Sequence, residues 1–269
     1  MHIRYTDLEK IVCVCEGMQK RTESTESTSL RTVRAKGFFE KATLHSRSMI
    51  TLLDRYQTKK VSLDIAALCI LSRCIIEIHN ASGYLLRTGL TKNESDLRND
   101  LFILNHSSEL KIINSGLGIH KRNFIHDHTS ILIEKQLEMN PAFQALDASK
   151  RNKLLKREYP YQLKNIGAPQ GPVSRSTEAA AIKLFSHGIH SFSLSLSPMD
   201  GGRDSVSGGT NMAFLASEMA LIYLSHIALQ YWRIRFRAIK TFSLNEKNLL
   251  IDGTSQENLK NWQSEMQNY

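Results

Sequence analysis

Residues 62–86, SLDIAALCILSRCIIEIHNASGYLL, are too apolar to stand in water, yet their polar side chains fall in a line. Arg73, Glu77, Asn80 and Tyr84 stand at i, i+4, i+7 and i+11, which is one face of a helix at 3.6 residues per turn. Burying an arginine and a glutamate costs on the order of several kcal/mol unless each finds partners. A chain that keeps such a stripe uses it either to fix a unique core or to build a site.

A second apolar stretch, Met212–Trp232, carries Glu218 and His226 and runs into Arg233, Arg235 and Arg237. Charges at the centre of a membrane span are costly and rare, so both stretches are expected as core helices and no membrane partner is expected. Asp7, Glu9 and Lys10 interrupt any apolar run at the start, which argues against a signal peptide and for a cytoplasmic protein.

Helical spacing recurs along most of the chain, and strand signals are weak. The expected fold is all-α: a single multi-helix bundle of roughly six to eight helices with long Gly/Ser/Pro-rich loops. The expected division is an N-terminal helix and mobile linker over 1–34, a helical bundle domain over 35–240, and a polar C-terminal tail over 241–269. Loops are read at 159–174, which holds three prolines and two glycines, and at 197–211, SPMDGGRDSVSGGTN.

The net charge of +9 favours an anionic partner such as RNA, although the excess is spread along 269 residues. Cys69 and Cys74 lie in the apolar helix and read as small hydrophobes. Cys13 and Cys15 have no second pair near them, so no zinc site is expected. The glycine segments lack the strand–loop–helix context and the Lys-Ser/Thr of a phosphate loop, and no G-x-S-x-G elbow occurs. No cofactor or metal is expected.

Two further clusters hold reactive side chains. In KLFSHGIHS, a helix would place His187 and His190 at i, i+3 and Ser186 at i, i+4 from His190. Such a pair suits acid–base work, or is a core histidine satisfied by Glu77 or a carbonyl. The other cluster runs from His120 to His128 and includes Arg122.

Arg73 and His79, like Arg122 and His128, have an R-x(5)-H spacing that resembles the motif of HEPN ribonucleases. That resemblance implies two protomers joining their motifs for metal-free RNA cleavage. Histidine would do the acid–base work and arginine would stabilise charge on the phosphate. A broader resemblance rests on Ala67, Leu71, Arg73 and Glu77 in AALCILSRCIIE, then Tyr84 and Leu85, then Ser186 and His190 before a long apolar helix. Over roughly residues 38–235 this looks like the uncharacterised bacterial family called domain of unknown function 5677. Ile182 stands where that family has tyrosine and Ser191 where it has proline. The family implies an all-α bundle in a bacterial cytoplasm and supplies no established activity.

These readings converge on one expectation. Arg73, Glu77, Asn80, Ser186, His187 and His190 meet in the bundle interior, with Glu218 as an added member. His190, His187, Arg73 and Glu77 are the candidate catalytic groups. Asn80, Ser186, Glu218, Tyr84, Arg122 and His128 are the candidate binding groups. The favoured function is a helical module that binds a protein or RNA, with a homodimer among the expected partners. The alternative is a metal-independent HEPN-like ribonuclease or defence effector.

Overall fold

The structure is a computed structural model and describes residues 3–27, 29–59, 62–120, 123–156, 171–189, 203–239 and 241–267. Among these residues every regular element is a helix, so the fold is all-α. The chain divides into two compact units, one formed by Met1–Ser82 with Gln170–Tyr269 and the other by Gly83–Pro169. Eleven helical segments are present among the described residues, one of them a single turn, which exceeds the expected six to eight. The surplus comes from the short segments that the 3.6-residue pattern is too brief to announce.

The first unit is built on α1 (Tyr5–Glu23), α2 (Leu30–Lys59), most of α3 (Ile65–Leu85), α8 (Arg175–Ile189), α9 (Arg203–Arg235), α10 (Leu244–Gly253) and α11 (Glu257–Met266). Helix α9 is its axis. Every residue from Ala213 to Ser225 is buried, as a helix apolar on all sides requires. Helices α1, α2, α8, α10 and α11 all pack against it. Phe39 of α2 stacks on Tyr231 of α9 with ring centroids 4.2 Å apart. The Tyr231 hydroxyl donates to Thr22 Oγ1 of α1 at 2.9 Å, so the aromatic keeps its polar end satisfied. Both α3 and α9 are long and apolar enough to cross a membrane, but the apolar window of α9 is 83% buried within the protein against 44% for α3.

Three local expectations shift. Against a start at Ser62, which a serine before Leu63 would signal, helix α3 begins at Ile65, and Asp64 Oδ1 accepts the Ala67 N–H at 2.9 Å as its cap. Helix α9 begins at Arg203, inside the segment expected as a loop. The 241–269 tail forms α10 and α11. Ser243 and Glu246 close α10 with a reciprocal capping box, and Trp262 of α11 packs against Phe214 of α9 at 6.0 Å.

The second unit holds α4 (Lys92–Gly116), α5 (Asn123–Met139), the single turn α6 (Pro141–Gln144) and α7 (Ala148–Leu155). Helices α4 and α5 form an antiparallel hairpin, and Gly118 in its turn adopts φ 72°, which a side chain would strain. Leu97, Leu101, Leu104, Ile133, Leu137, Phe143 and Leu154 make this unit's own core. Thr91 and Glu94 cap α4 reciprocally, and Asn140 caps α6 just before Pro141.

Candidate functional site

The stripe on α3 organises a polar site in the first unit, where α3 meets α8 and α9. Its outer end is Arg73. The guanidinium Nε donates to Glu77 Oε1 at 2.8 Å, one turn along the same helix. Its Nη1 donates to Ser186 Oγ of α8 at 2.9 Å, and Ser186 in turn donates to the Ile182 carbonyl at 2.6 Å. The structure thus brings together Arg73, Glu77 and Ser186, but not in the bundle interior. The Arg73 side chain is 34% exposed and that of Glu77 54%. The reason is that α3 is covered on one side only. Leu68, Cys69, Ile75, Ile76 and Ile78 point into the core, and Arg73 and Glu77 lie along the open edge.

The inner end is more enclosed. Asn80 Nδ2 donates to Glu178 Oε1 of α8 at 2.9 Å. The other Glu178 oxygen accepts the hydroxyl of Tyr223 of α9, which is fully buried. His79 stands edge-on to Tyr223 at 5.0 Å and to His226 at 6.0 Å. Its Nδ1 lies 3.3 Å from Asn80 Oδ1. One turn further, Ser82 Oγ donates to Gln230 Oε1 of α9 at 3.0 Å. Glu178 is therefore a bracket that ties α8 to both α3 and α9.

Burial governs the electrostatics here. Desolvation lowers the His79 pKa, against weaker opposing effects of Asn80 and Glu178. Desolvation lowers His226 to about 4, assisted by the neighbouring His79 and Arg233. Burial, then the bond to Glu178, raises the Tyr223 phenol. At neutral pH the cluster holds two neutral imidazoles and a protonated phenol around Glu178. Burial also raises Cys74, the neighbour of Arg73. Glu77 raises it further, while Lys41 of α2 and Arg73 oppose.

Other expected members lie elsewhere. Glu218 is 1% exposed but pairs with Arg4 through two contacts of 2.9 and 2.6 Å. Five residues on a helix turn about 140° away from Tyr223, so Glu218 faces α1 and cannot orient a histidine of this site. Tyr84 belongs to the second unit. There the Arg98 guanidinium lies 4.5 Å over its ring and donates to its carbonyl at 2.6 Å. His128 is also in the second unit, exposed, with Phe124 at 6.5 Å. His187 lies on α8 beside Ser186, half-buried. His190 and Arg122 fall outside the described residues. Among the described residues no group of three His, Cys, Asp or Glu side chains is placed to hold a metal ion.

The sequence reading missed Glu178, Tyr223, His226 and Gln230. Tyr223, His226 and Gln230 stand at i, i+3 and i+7 within the apolar α9, the same signal that exposed the α3 stripe. Glu178 carried no such signal, because near a helix start it reads as part of a cap. No family model, curated protein or solved structure matches the chain, so the two resemblances rest on their short motifs alone.

Proposed function

We propose that the protein is a non-catalytic helical binding module that holds an anionic ligand, RNA being the fitting class, at the outer row of the α3–α8 edge. The observation that carries this reading is the setting of Arg73. Its Nε and Nη1 are fixed by Glu77 and Ser186, and a third of the side chain stays open to solvent. A guanidinium held on two sides presents its remaining donors at little entropic cost, which suits a phosphate. Access distinguishes a site from a packing lock, and this row has access. The enclosed His79, Asn80, Glu178, Tyr223 and His226 then hold the three helices in register behind it. The basic balance of +9 gives such a ligand a favourable approach.

The test is titration of the full chain into fluorescently labelled single-stranded RNA at several salt concentrations. Arg73→Ala should weaken binding and reduce the salt slope by about 1, as the loss of one phosphate contact does. Unchanged affinity and slope would remove the outer row from the function. A denaturing gel of the same samples addresses the ribonuclease alternative, for which the i, i+3 pair His187 and His190 beside Ser186 in the sequence speaks. Cleavage lost in His187→Ala or His190→Ala would replace the binding reading.

A further inference from the structure

The α5 helix is apolar on both sides. Ser130, Ile133 and Leu137 face the core of the second unit. On the opposite arc, Phe124 is 76% exposed, Ile125 64%, Ile131 53%, Leu132 48% and Met139 75%. At 100° per residue these five fall within about 120° of arc and run about 25 Å along the helix. From the areas typical of such side chains they expose on the order of 600 Å², the upper end of what an ordinary monomer shows in one patch. Leu117, 68% exposed, and Ile119, 40% exposed, adjoin at the turn before α5. Together they approach the roughly 800 Å² a side of a standard protein interface.

The order of the stripe says what covers it. From the N-terminus it reads Phe124-Ile125, His128, Ile131-Leu132, Lys135, Met139, which is apolar, polar, apolar, polar, apolar. That alternation is its own reverse about the point between Ile131 and Leu132 except at Ile125, whose counterpart is Glu138 at the margin of the stripe. An antiparallel copy of α5 therefore sets Phe124 level with Met139 and Ile131 level with Leu132, apolar against apolar. His128 comes level with Lys135, polar against polar. The carboxylates do not meet one another: Asp127 comes level with Gln136, Glu134 with Thr129 and Glu138 with Ile125. A two-fold contact needs such self-complementarity, and α5 has it. A bilayer is the poorer occupant, because Asp127, Glu134 and Glu138 outnumber Lys135 along this helix.

We infer that the protein forms a two-fold dimer in which the α5 helices of two copies pack antiparallel through Phe124, Ile125, Ile131, Leu132 and Met139. The experiment is sedimentation equilibrium of the full chain, wild type and Ile131→Asp/Leu132→Asp. The wild type should associate to a dimer, and the variant should dissociate on the order of a hundredfold more readily, since it places unpaired charges at the centre of the contact. Circular dichroism checks that the variant is folded, as substitution at two exposed positions should leave it. A monomer at all concentrations, or a dimer insensitive to the variant, overturns the inference. A second measurement reads the register. In a Cys13→Ser background, Phe124→Cys/Met139→Cys should oxidise to a dimer linked 124 to 139. Linkage of 124 to 124, or no linkage in a folded protein, also overturns it.

Discussion

Glu218 shows how a single buried charge can be settled by one distant residue. It sits 1% exposed in the fully buried stretch of α9, and its partner Arg4 comes from 214 residues away in the chain. Removing one member of such a pair leaves the other buried and uncompensated, which costs about 3–5 kcal/mol. Arg4→Met and Glu218→Gln should each lower the thermal midpoint of the first unit by several degrees. The Arg4→Met/Glu218→Leu double variant should recover most of the loss. A double-mutant cycle checks this, and additive losses would show that the two side chains do not depend on each other. Gly253 makes a second residue-scale case. A Cβ there would run into Ser225 of α9 and stand 3.3 Å from Ile11 of α1. Gly253→Ala should destabilise by about 1–3 kcal/mol in a denaturant titration, because Ser225 and Ile11 must shift to admit the methyl group. These two residues also mark what single positions reveal in advance. Glu218 was legible as a charge that needed a partner, but spacing along one helix cannot name Arg4. Gly253 carried no signal, since only the approach of α1 and α9 makes its missing Cβ matter.

At the scale of elements, α3, α8 and α9 are joined by hydrogen bonds of Asn80, Glu178, Tyr223, Ser82 and Gln230, with two buried histidines among them. That makes their contact sensitive to pH. The His226 pKa is lowered in the folded protein to about 4 by burial, with His79 and Arg233 adding to it. Between the unfolded value near 6.5 and about 4, the unfolded chain binds more protons than the folded one. The stability contributed by neutral His226 is thus fully present above about pH 6.5 and is lost as the pH falls toward 4. His79 is lowered for the same first cause and adds to the loss in the same direction. Thermal melts from pH 7 to 4 should show a steep acid limb, and His226→Phe should flatten it. An acid limb of unchanged slope in that variant would place its origin in other groups. The α3 face was legible from the sequence because its period matched a helix. Its depth was not, because periodicity reports which side chains share a face and says nothing of how many helices cover it. Arg73 and Glu77 were read as interior for that reason, and they stand at the open edge.

For the whole molecule, the division into two units changes what a mutation can reach. The second unit is a continuous stretch, 83–169, inserted between the two parts of the first. It carries a core of its own and capped helices at α4, α6 and α7. Composition marked one boundary only: the Pro/Gly-rich run at 159–174 spans the second junction, while apolar content and charge are alike in both parts and no linker-like run marks the junction inside α3. A unit with its own core should unfold by its own transition. Leu104→Ala, at a position 1% exposed in the α4–α5 core, should cost about 2–5 kcal/mol there. Hydrogen exchange should localise the loss. Amides of α4 and α5 should exchange faster in the variant, while those of α9 from Ala213 to Ser225 keep their protection. The converse variant, Leu224→Ala in the fully buried part of α9, should speed exchange in α1, α2 and α10 and leave α4 and α5 protected. If either substitution instead weakened protection evenly across the chain, the two units would be one cooperative body. The outer row of the α3–α8 edge and the apolar face of α5 could then no longer be varied independently of each other.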